Sequence, residues 1–269
     1  MTEMNEVPLD GGWQTDVRRV GDVVLRSPKP QSRTVVGLLT HLAQVGFDAS
    51  PRPLDGGFAS DGREQLGFIE GESPQPRPWS DEAVWEIGRM VNALHLAVAS
   101  FEVPTDAHWR PWFARSLAGT HPVIGHGDLG PWNILARAGM PVAMIDWDNA
   151  GPVDALRELA QVVWLNAQLH DDDVAVGSGL PDAAARARQA ALILDGYGLA
   201  RDERVGFVDR LVEMAIRCAR EEAIEFRVGH DSPSPAANGY PVLWAVSWRA
   251  RSAAWMLDHR QLIQHAIDA

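Results

Sequence analysis

Along the chain, the spacing of apolar residues changes near residue 80. Before it, short apolar runs alternate with turns. The segments "WQTDVRRVG" and "DVVLRS" are rich in β-branched residues and flank Gly21-Asp22, which predicts a β-hairpin. In "RTVVGLLTHLAQVGF", Val35, Leu38, Leu39, Leu42 and Val45 fall at helical spacing and stop at Gly46, so a helix with a left-handed terminator is expected. The Pro/Gly-rich "ASPRPLDGG" reads as a loop and "EQLGFIEGE" as a short strand ending in acidic turn residues.

From Ser80 the pattern is helical. Ser80 suits an N-cap, Asp81 and Glu82 suit a first turn, and Val84, Ile87, Val91, Leu94 and Val98 form an apolar stripe. After residue 150 four long segments read as helices: "DALRELAQVVWLNAQLH", "DAAARARQAALILDGYG", "DERVGFVDRLVEMAIRCAREEAIEFRVG" and "PVLWAVSWRARSAAWMLDHRQLIQHAIDA". The "HDDDVAV" run reads as a solvated helix end or loop, and 229–240 as a loop. With "GESPQPRPW" as linker, the expectation is an α+β protein of two lobes, a β-rich one over 1–72 and a mainly helical one over 73–269. Trp244, Trp248 and Trp255 share one helix face and are expected in the core, and His95 reads as a packed, hydrogen-bonded histidine.

Composition narrows the function classes. The 269 residues are 46% hydrophobic, as in ordinary globular proteins, and contain no uninterrupted apolar run of membrane-spanning length. The first residues lack the basic-then-apolar layout of a secretory signal, so a cytoplasmic location is expected. A net charge of -12 without basic runs argues against a nucleic-acid partner. Lys29 is the only lysine. Cys218, the only cysteine, excludes an intramolecular disulfide and a cysteine-based metal cluster, and reads as a small buried helix residue.

The chemistry concentrates in "GHGDLGPWNIL" and "IDWD". "NIL" and "PVAMI" read as the strands of a small hairpin. A turn centred between Gly139 and Met140 would set Asn133 opposite Asp146. An amide oxygen beside a carboxylate suits Mg²⁺, which leaves its other positions to water and phosphate oxygens. Asp128, on a loop bent by Gly127, Gly130 and Pro131, reaches the same cavity and is free to accept a proton from an attacking hydroxyl.

These residues resemble the signature of the aminoglycoside phosphotransferase and choline kinase-like superfamily, small-molecule relatives of protein kinases. The resemblance implies a bilobal kinase-like fold that uses Mg²⁺ and ATP or GTP. The γ-phosphoryl would pass to a hydroxyl of a small molecule, aminoglycoside-like or another cationic metabolite among the candidates. By the same resemblance Asp128 is the catalytic base, His126 organises the catalytic loop, Asn133 and Asp146 hold the metal, and Asp148 is an auxiliary acid beside it. "LDGGWQTDVRRVG", with Gly11 and Gly12, resembles the nucleotide-covering hairpin. Arg26 stands in the place of the phosphate-binding lysine, and "GFIEGE", with Phe68, Ile69 and Glu70, resembles the adenine-binding hinge. Glu221, Glu222, Glu225, Asp231 and Trp248 are candidates for the acceptor pocket.

Two departures stand out. The helix after Arg26 contains no carboxylate, where relatives carry a glutamate that pairs with the phosphate-binding cation; either another acid replaces it or that brace is missing. "RELA" supplies Glu158 where an aspartate is usual. The alternatives are therefore a nucleotide-binding module with little or no catalysis and, less favoured, a Mg²⁺-dependent phosphohydrolase.

Overall fold

The computed structural model describes residues 6–9, 17–116, 119, 121–233 and 239–269; Gly11 and Gly12 lie outside them. Strands β1 (Val7–Pro8), β2 (Val17–Val20) and β3 (Val23–Arg26) form an antiparallel meander, with Gly21 and Asp22 turning the predicted hairpin. Helix α1 (Ser32–Gln44) follows, then β4 (Pro53–Phe58) and β5 (Glu64–Gly67), giving one sheet in the order β1-β2-β3-β5-β4. The stretch expected as a Pro/Gly loop is in part edge strand β4. Its positive-φ residues Asp55, Gly56 and Gly57 break the register, which hides the strand's alternation. In α1, Val35, Leu38, Leu39 and Leu42 are buried as expected, while Val45 caps the helix exposed and Gly46 takes φ +80°.

Helix α2 (Asp81–Ala97) begins as predicted, with Ser80 Oγ accepting the Ala83 N–H at 3.1 Å. Its whole predicted stripe is buried. Strand β6 (Pro122–Gly125) pairs with β9 (Gly151–Asp154), and between them lies the hairpin β7 (Ile134–Arg137) and β8 (Met140–Met144). The remaining helices are α3 (Ala155–Asn166), α4 (Asp172–Gly177), α5 (Ala183–Tyr197), α6 (Phe207–Glu225), α7 (Val242–Asp258) and α8 (Arg260–Asp268).

The last predicted helix is thus two. His259 breaks it by stacking on Trp255, with its Nδ1–H donating to the Trp255 carbonyl at 3.0 Å. "HDDDVAV", expected as a solvated helix end or loop, forms the start of the short helix α4; Asp171 and Asp173 pair with Arg251, and Asp172 accepts from the Trp255 indole. The result is the expected α+β arrangement of a small β-rich lobe and a larger helical lobe. One apolar cluster nevertheless runs from Val35 and Leu66 through α2 to Ile267.

The close contact of α2 on α5 depends on small residues. A Cβ on Gly88 would stand 2.1 Å from the Ile193 carbonyl oxygen, and one on Gly196 would stand 1.9 Å from that of Trp85. Backbone cannot yield as a side chain can, so Gly88→Ala is expected to cost about 1–3 kcal/mol in denaturant unfolding. An unchanged midpoint would show that the helices separate freely.

Candidate active site

The site is built on the loop between β6 and β7 and on the turn after β8. Gly127 adopts φ +82°, and a Cβ there would meet the Asn149 carbonyl oxygen at 2.3 Å, so the loop can pass under the β8 turn only with glycine. His126 is fully buried. Its Nε2–H donates to the Ile145 carbonyl at 2.9 Å and its Nδ1 accepts the Asp128 N–H at 3.3 Å, fixing one neutral tautomer. Burial holds its pKa below the ordinary histidine value. His126 therefore ties the loop to the turn after β8, and its ring faces Trp147 at 4.6 Å.

Glu158 of α3 supplies the second anchor. Fully buried, it accepts the Gly127 N–H at 2.7 Å, and its other oxygen accepts from His95 Nε2 at 2.7 Å; His95 Nδ1 lies 2.9 Å from the Tyr197 hydroxyl. Burial would raise the Glu158 pKa, but the His95 hydrogen bond and charge reverse this and keep it low. The longer side chain thus does bond the backbone of the loop that carries Asp128, and the absence of a Cβ at Gly125 makes room for it. At the far end of α3, Asn166 donates to the Leu129 carbonyl at 2.8 Å.

Between these anchors Asp128 faces a cleft of about 740 Å³, which Asn133 and Asp146 also line. Asn133 Nδ2 donates to Asp128 Oδ2 at 3.0 Å and to the Asp128 carbonyl at 2.8 Å, and the Trp132 side chain hydrogen-bonds the same carboxylate. Burial first, then the nearby Asp146 charge, raises the Asp128 pKa to about 6. Such a carboxylate is ionised at neutral pH yet basic enough to take a proton.

The hairpin register differs from expectation by one residue. Ile134 faces Met144, so Asn133 stands opposite Ile145, whose N–H it accepts at 2.9 Å, and not opposite Asp146. The turn sits at Ala138-Gly139, both with positive φ, and Val142 bulges out of β8. Asp146 still reaches the cleft, because its left-handed φ of 59° redirects the chain, and its side chain is 55% exposed. An exposed carboxylate beside an amide suits a hard cation that takes most of its ligands from phosphate. Among the described residues no group of three His, Cys, Asp or Glu side chains is arranged to hold a metal ion.

Asp148 is not available to a metal as expected. It is buried, and its two oxygens are held by Arg26 Nη2 and Lys29 Nζ. The missing brace for Arg26 also has an answer. Glu64, 1% exposed on β5 and directly across from Arg26 on β3, accepts from Arg26 Nε with one oxygen and from the Ser32 hydroxyl with the other. Burial would lower the Arg26 pKa, but Asp148 and Glu64 raise it above the ordinary value. Glu64 and Ser32 escaped sequence reading. The available signal was an acid on the inward face of β5, together with Leu66.

The other predicted residues divide. Phe68, Ile69 and Glu70 follow β5 outside the cleft; Phe68 lies under the Arg19 guanidinium at 3.5 Å, and the Glu70 carbonyl accepts from Arg137 at 2.9 Å. Glu221, Glu222, Glu225 and Trp248 do line the cleft, whereas Asp231 is outside it, exposed and bonded to His230. Of the three tryptophans only Trp255 is core; Trp244 is 46% exposed and Trp248 half-buried, both on the cleft wall. Cys218 is half-buried on that wall, and burial pushes its thiol up to about 12.

Comparison with known proteins agrees with this geometry. The phosphotransferase enzyme family matches residues 104–204, which hold the catalytic loop and the β7–β8 hairpin. The trifolitoxin immunity protein of Rhizobium leguminosarum bv. trifolii is 50% identical over 263 residues, covering 98% of this chain and 99% of that protein. Among solved structures, a choline/ethanolamine kinase family protein from Mesorhizobium loti superposes with TM-score 0.62 at 16% identity, covering 98% of this chain and 92% of that one. A microcompartment-associated aminopropanol kinase does so with 0.62 at 14% (97% and 94%), and the gentamicin complex of an APH(2'')-IIa enzyme with 0.55 at 10% (97% and 93%). At these identities the superpositions speak for the fold, while the half-identical relative and the family match speak for descent. The chain belongs to the phosphotransferase enzyme family and has the fold of choline kinase-like and aminoglycoside-phosphotransferase small-molecule kinases.

Proposed function

We propose that this phosphotransferase moves the γ-phosphoryl group of ATP, or of GTP, to a hydroxyl presented to Asp128. The observation that carries this reading is the single cleft shared by Asp128, Asn133 and Asp146, with the Asp128 pKa raised to about 6. Asn133 and Asp146 would hold Mg²⁺, which when bound neutralises the phosphates. Asp128 would orient the acceptor hydroxyl and take its proton, and Trp132 and Asn133 keep the carboxylate aimed. The phosphates would lie against the end of β3, and the β5 exit at Phe68, Ile69 and Glu70 would serve the base. The missing helix glutamate had favoured a binding module without catalysis; the Glu64 brace removes that ground.

The acceptor half of the cleft supports a body that is more aromatic than polycationic. Glu222 is paired with Arg249 at 3.3 Å and Glu225 with Arg110 at 2.6 Å, so two of its three carboxylates are already balanced. Trp132, Trp244, Trp248 and Phe226 supply flat apolar walls. The name of the half-identical relative ties it to toxin immunity. Phosphorylating a toxin's hydroxyl would add about two negative charges and abolish its fit to a target, which is the form of activity we propose here.

The test is Mg-ATP turnover with a panel of hydroxyl acceptors: gentamicin, choline and a serine peptide flanked by aromatic residues. The aromatic acceptor is expected to be preferred, and Asp146→Ala is expected to lose roughly 10²–10³-fold in turnover. Equal turnover by Asp146→Ala would contradict the assignment, and preference for gentamicin would overturn the acceptor class.

A further inference from the structure

We infer that Lys29, and not Arg26, is the cation that meets the nucleotide's phosphates, with Arg26 serving as a buried counter-charge that holds the acids in place. The inference rests on the nucleotide-dependent reading above and deepens it. Arg26 is 8% exposed and all three of its nitrogens face carboxylates: Nε meets Glu64, Nη2 meets Asp148, and Nη1 stands 3.6 Å from Asp146. It is absent from the cleft lining, whereas Lys29 lines the cleft together with Asp128, Asn133 and Asp146. A guanidinium surrounded in this way would have to abandon buried partners to reach a phosphate, leaving Glu64 buried and unpaired. Among the described residues the Lys29 ammonium has one partner, the shared Asp148, and its side chain is 24% exposed. It can turn to a phosphate while Asp148 keeps Arg26.

The position of Lys29 is built, not incidental. Pro28 and Pro30 stiffen the chain on either side of it. Its N–H donates to the Ser32 hydroxyl at 2.7 Å, its carbonyl accepts the Ser32 N–H at 3.0 Å, and the same hydroxyl donates to Glu64. Glu64 therefore holds both cations, Arg26 directly and the Lys29 backbone through Ser32. Gln31 adds a contact from the same turn to the Asp148 carbonyl at 3.5 Å. An ammonium is a compact point charge on a flexible stem, suited to follow a phosphoryl group that moves, and a guanidinium is suited to a fixed fork of carboxylates. The chain places each where its chemistry fits.

Because Lys29 is the only lysine, amine acylation reports on one side chain. The full-length protein would be treated with sulfosuccinimidyl acetate, and acylation of Lys29 followed by peptide mass spectrometry, with Mg-ATP, with adenosine and without ligand. Mg-ATP is expected to slow Lys29 acylation at least about tenfold and adenosine to leave it unchanged, while Lys29→Met raises KM for ATP roughly 10- to 100-fold with a smaller change in kcat, and Lys29→Arg recovers part of it. ATP binding is measured separately by calorimetry. Binding without protection of Lys29, or Lys29→Met with an unchanged KM, overturns the assignment while the nucleotide reading stands. Absence of ATP binding and of turnover overturns both.

Discussion

Replacing Asp128 with asparagine is expected to lower turnover roughly 10²–10⁴-fold while leaving ATP binding near the wild-type value. The amide keeps the shape of the carboxylate and its oxygen can still accept from Asn133, so the loop stays in place, while the capacity to take the acceptor's proton is lost. The same group sets the pH dependence. With the carboxyl raised to about 6 in the metal-free protein by burial and by Asp146, wild-type turnover is expected to rise with pH as Asp128 ionises and to level off above, the Mg²⁺ on Asp146 drawing that rise below about 6. The stability profile runs the opposite way. Between the ordinary aspartate value near 4 and about 6 the folded chain holds a proton that the unfolded chain has released, so stability falls as pH rises through that window. Asp128→Asn removes this cost and is expected to be more stable than wild type at neutral pH by roughly 1–3 kcal/mol. A variant that is inactive and less stable would mean that Asp128 serves the fold and not the reaction.

Glu64→Ala is expected to produce the largest loss of stability in the β-rich lobe. Glu64 is 1% exposed and carries bonds from Arg26 Nε and the Ser32 hydroxyl. Truncation leaves the buried Arg26 Nε and the buried Ser32 hydroxyl without their acceptor and removes one of the counter-charges of Arg26, which costs about 3–5 kcal/mol, or a fall in Tm of roughly 6–20 °C. Glu64→Gln keeps an acceptor and loses the charge, and is expected to fall between the two. Unfolding of Glu64→Ala within about 1 kcal/mol of wild type would show that Arg26 finds its counter-charges elsewhere.

The features that were legible in the sequence are local ones. The Ser80 cap, the α2 stripe and the Gly21-Asp22 turn depend on residues a few positions apart, and each stands where it was expected. Asp128, Asn133 and Asp146 share the cleft because short loops hold them within one supersecondary unit. What escaped depends on distant pairing. Glu64 meets Arg26 only because β5 lies beside β3 in one register, and no local pattern fixes that register. The partners of Asp148 come from more than a hundred residues earlier. Pro141, which cannot donate to the ladder, marks the hairpin register as open and the bulge at Val142 follows it, whereas the break at His259 carries no Gly or Pro, so the helical pattern runs through it. The three tryptophans of α7 share a face, but that face leaves the core for the cleft along its length, a change set by α6 and α3 and not by spacing.

The most direct test of the central claim follows the γ-phosphoryl group itself. Wild type and Asp128→Asn are incubated with Mg²⁺ and ATP labelled at the γ-phosphorus, with the hydroxyl acceptor preferred in the panel, and the label is traced. The account predicts label on the acceptor hydroxyl with wild type and almost none with Asp128→Asn, although both bind the nucleotide. Equal labelling by the two proteins, or nucleotide bound by wild type with no label transferred to any acceptor in the panel or to water, would contradict it.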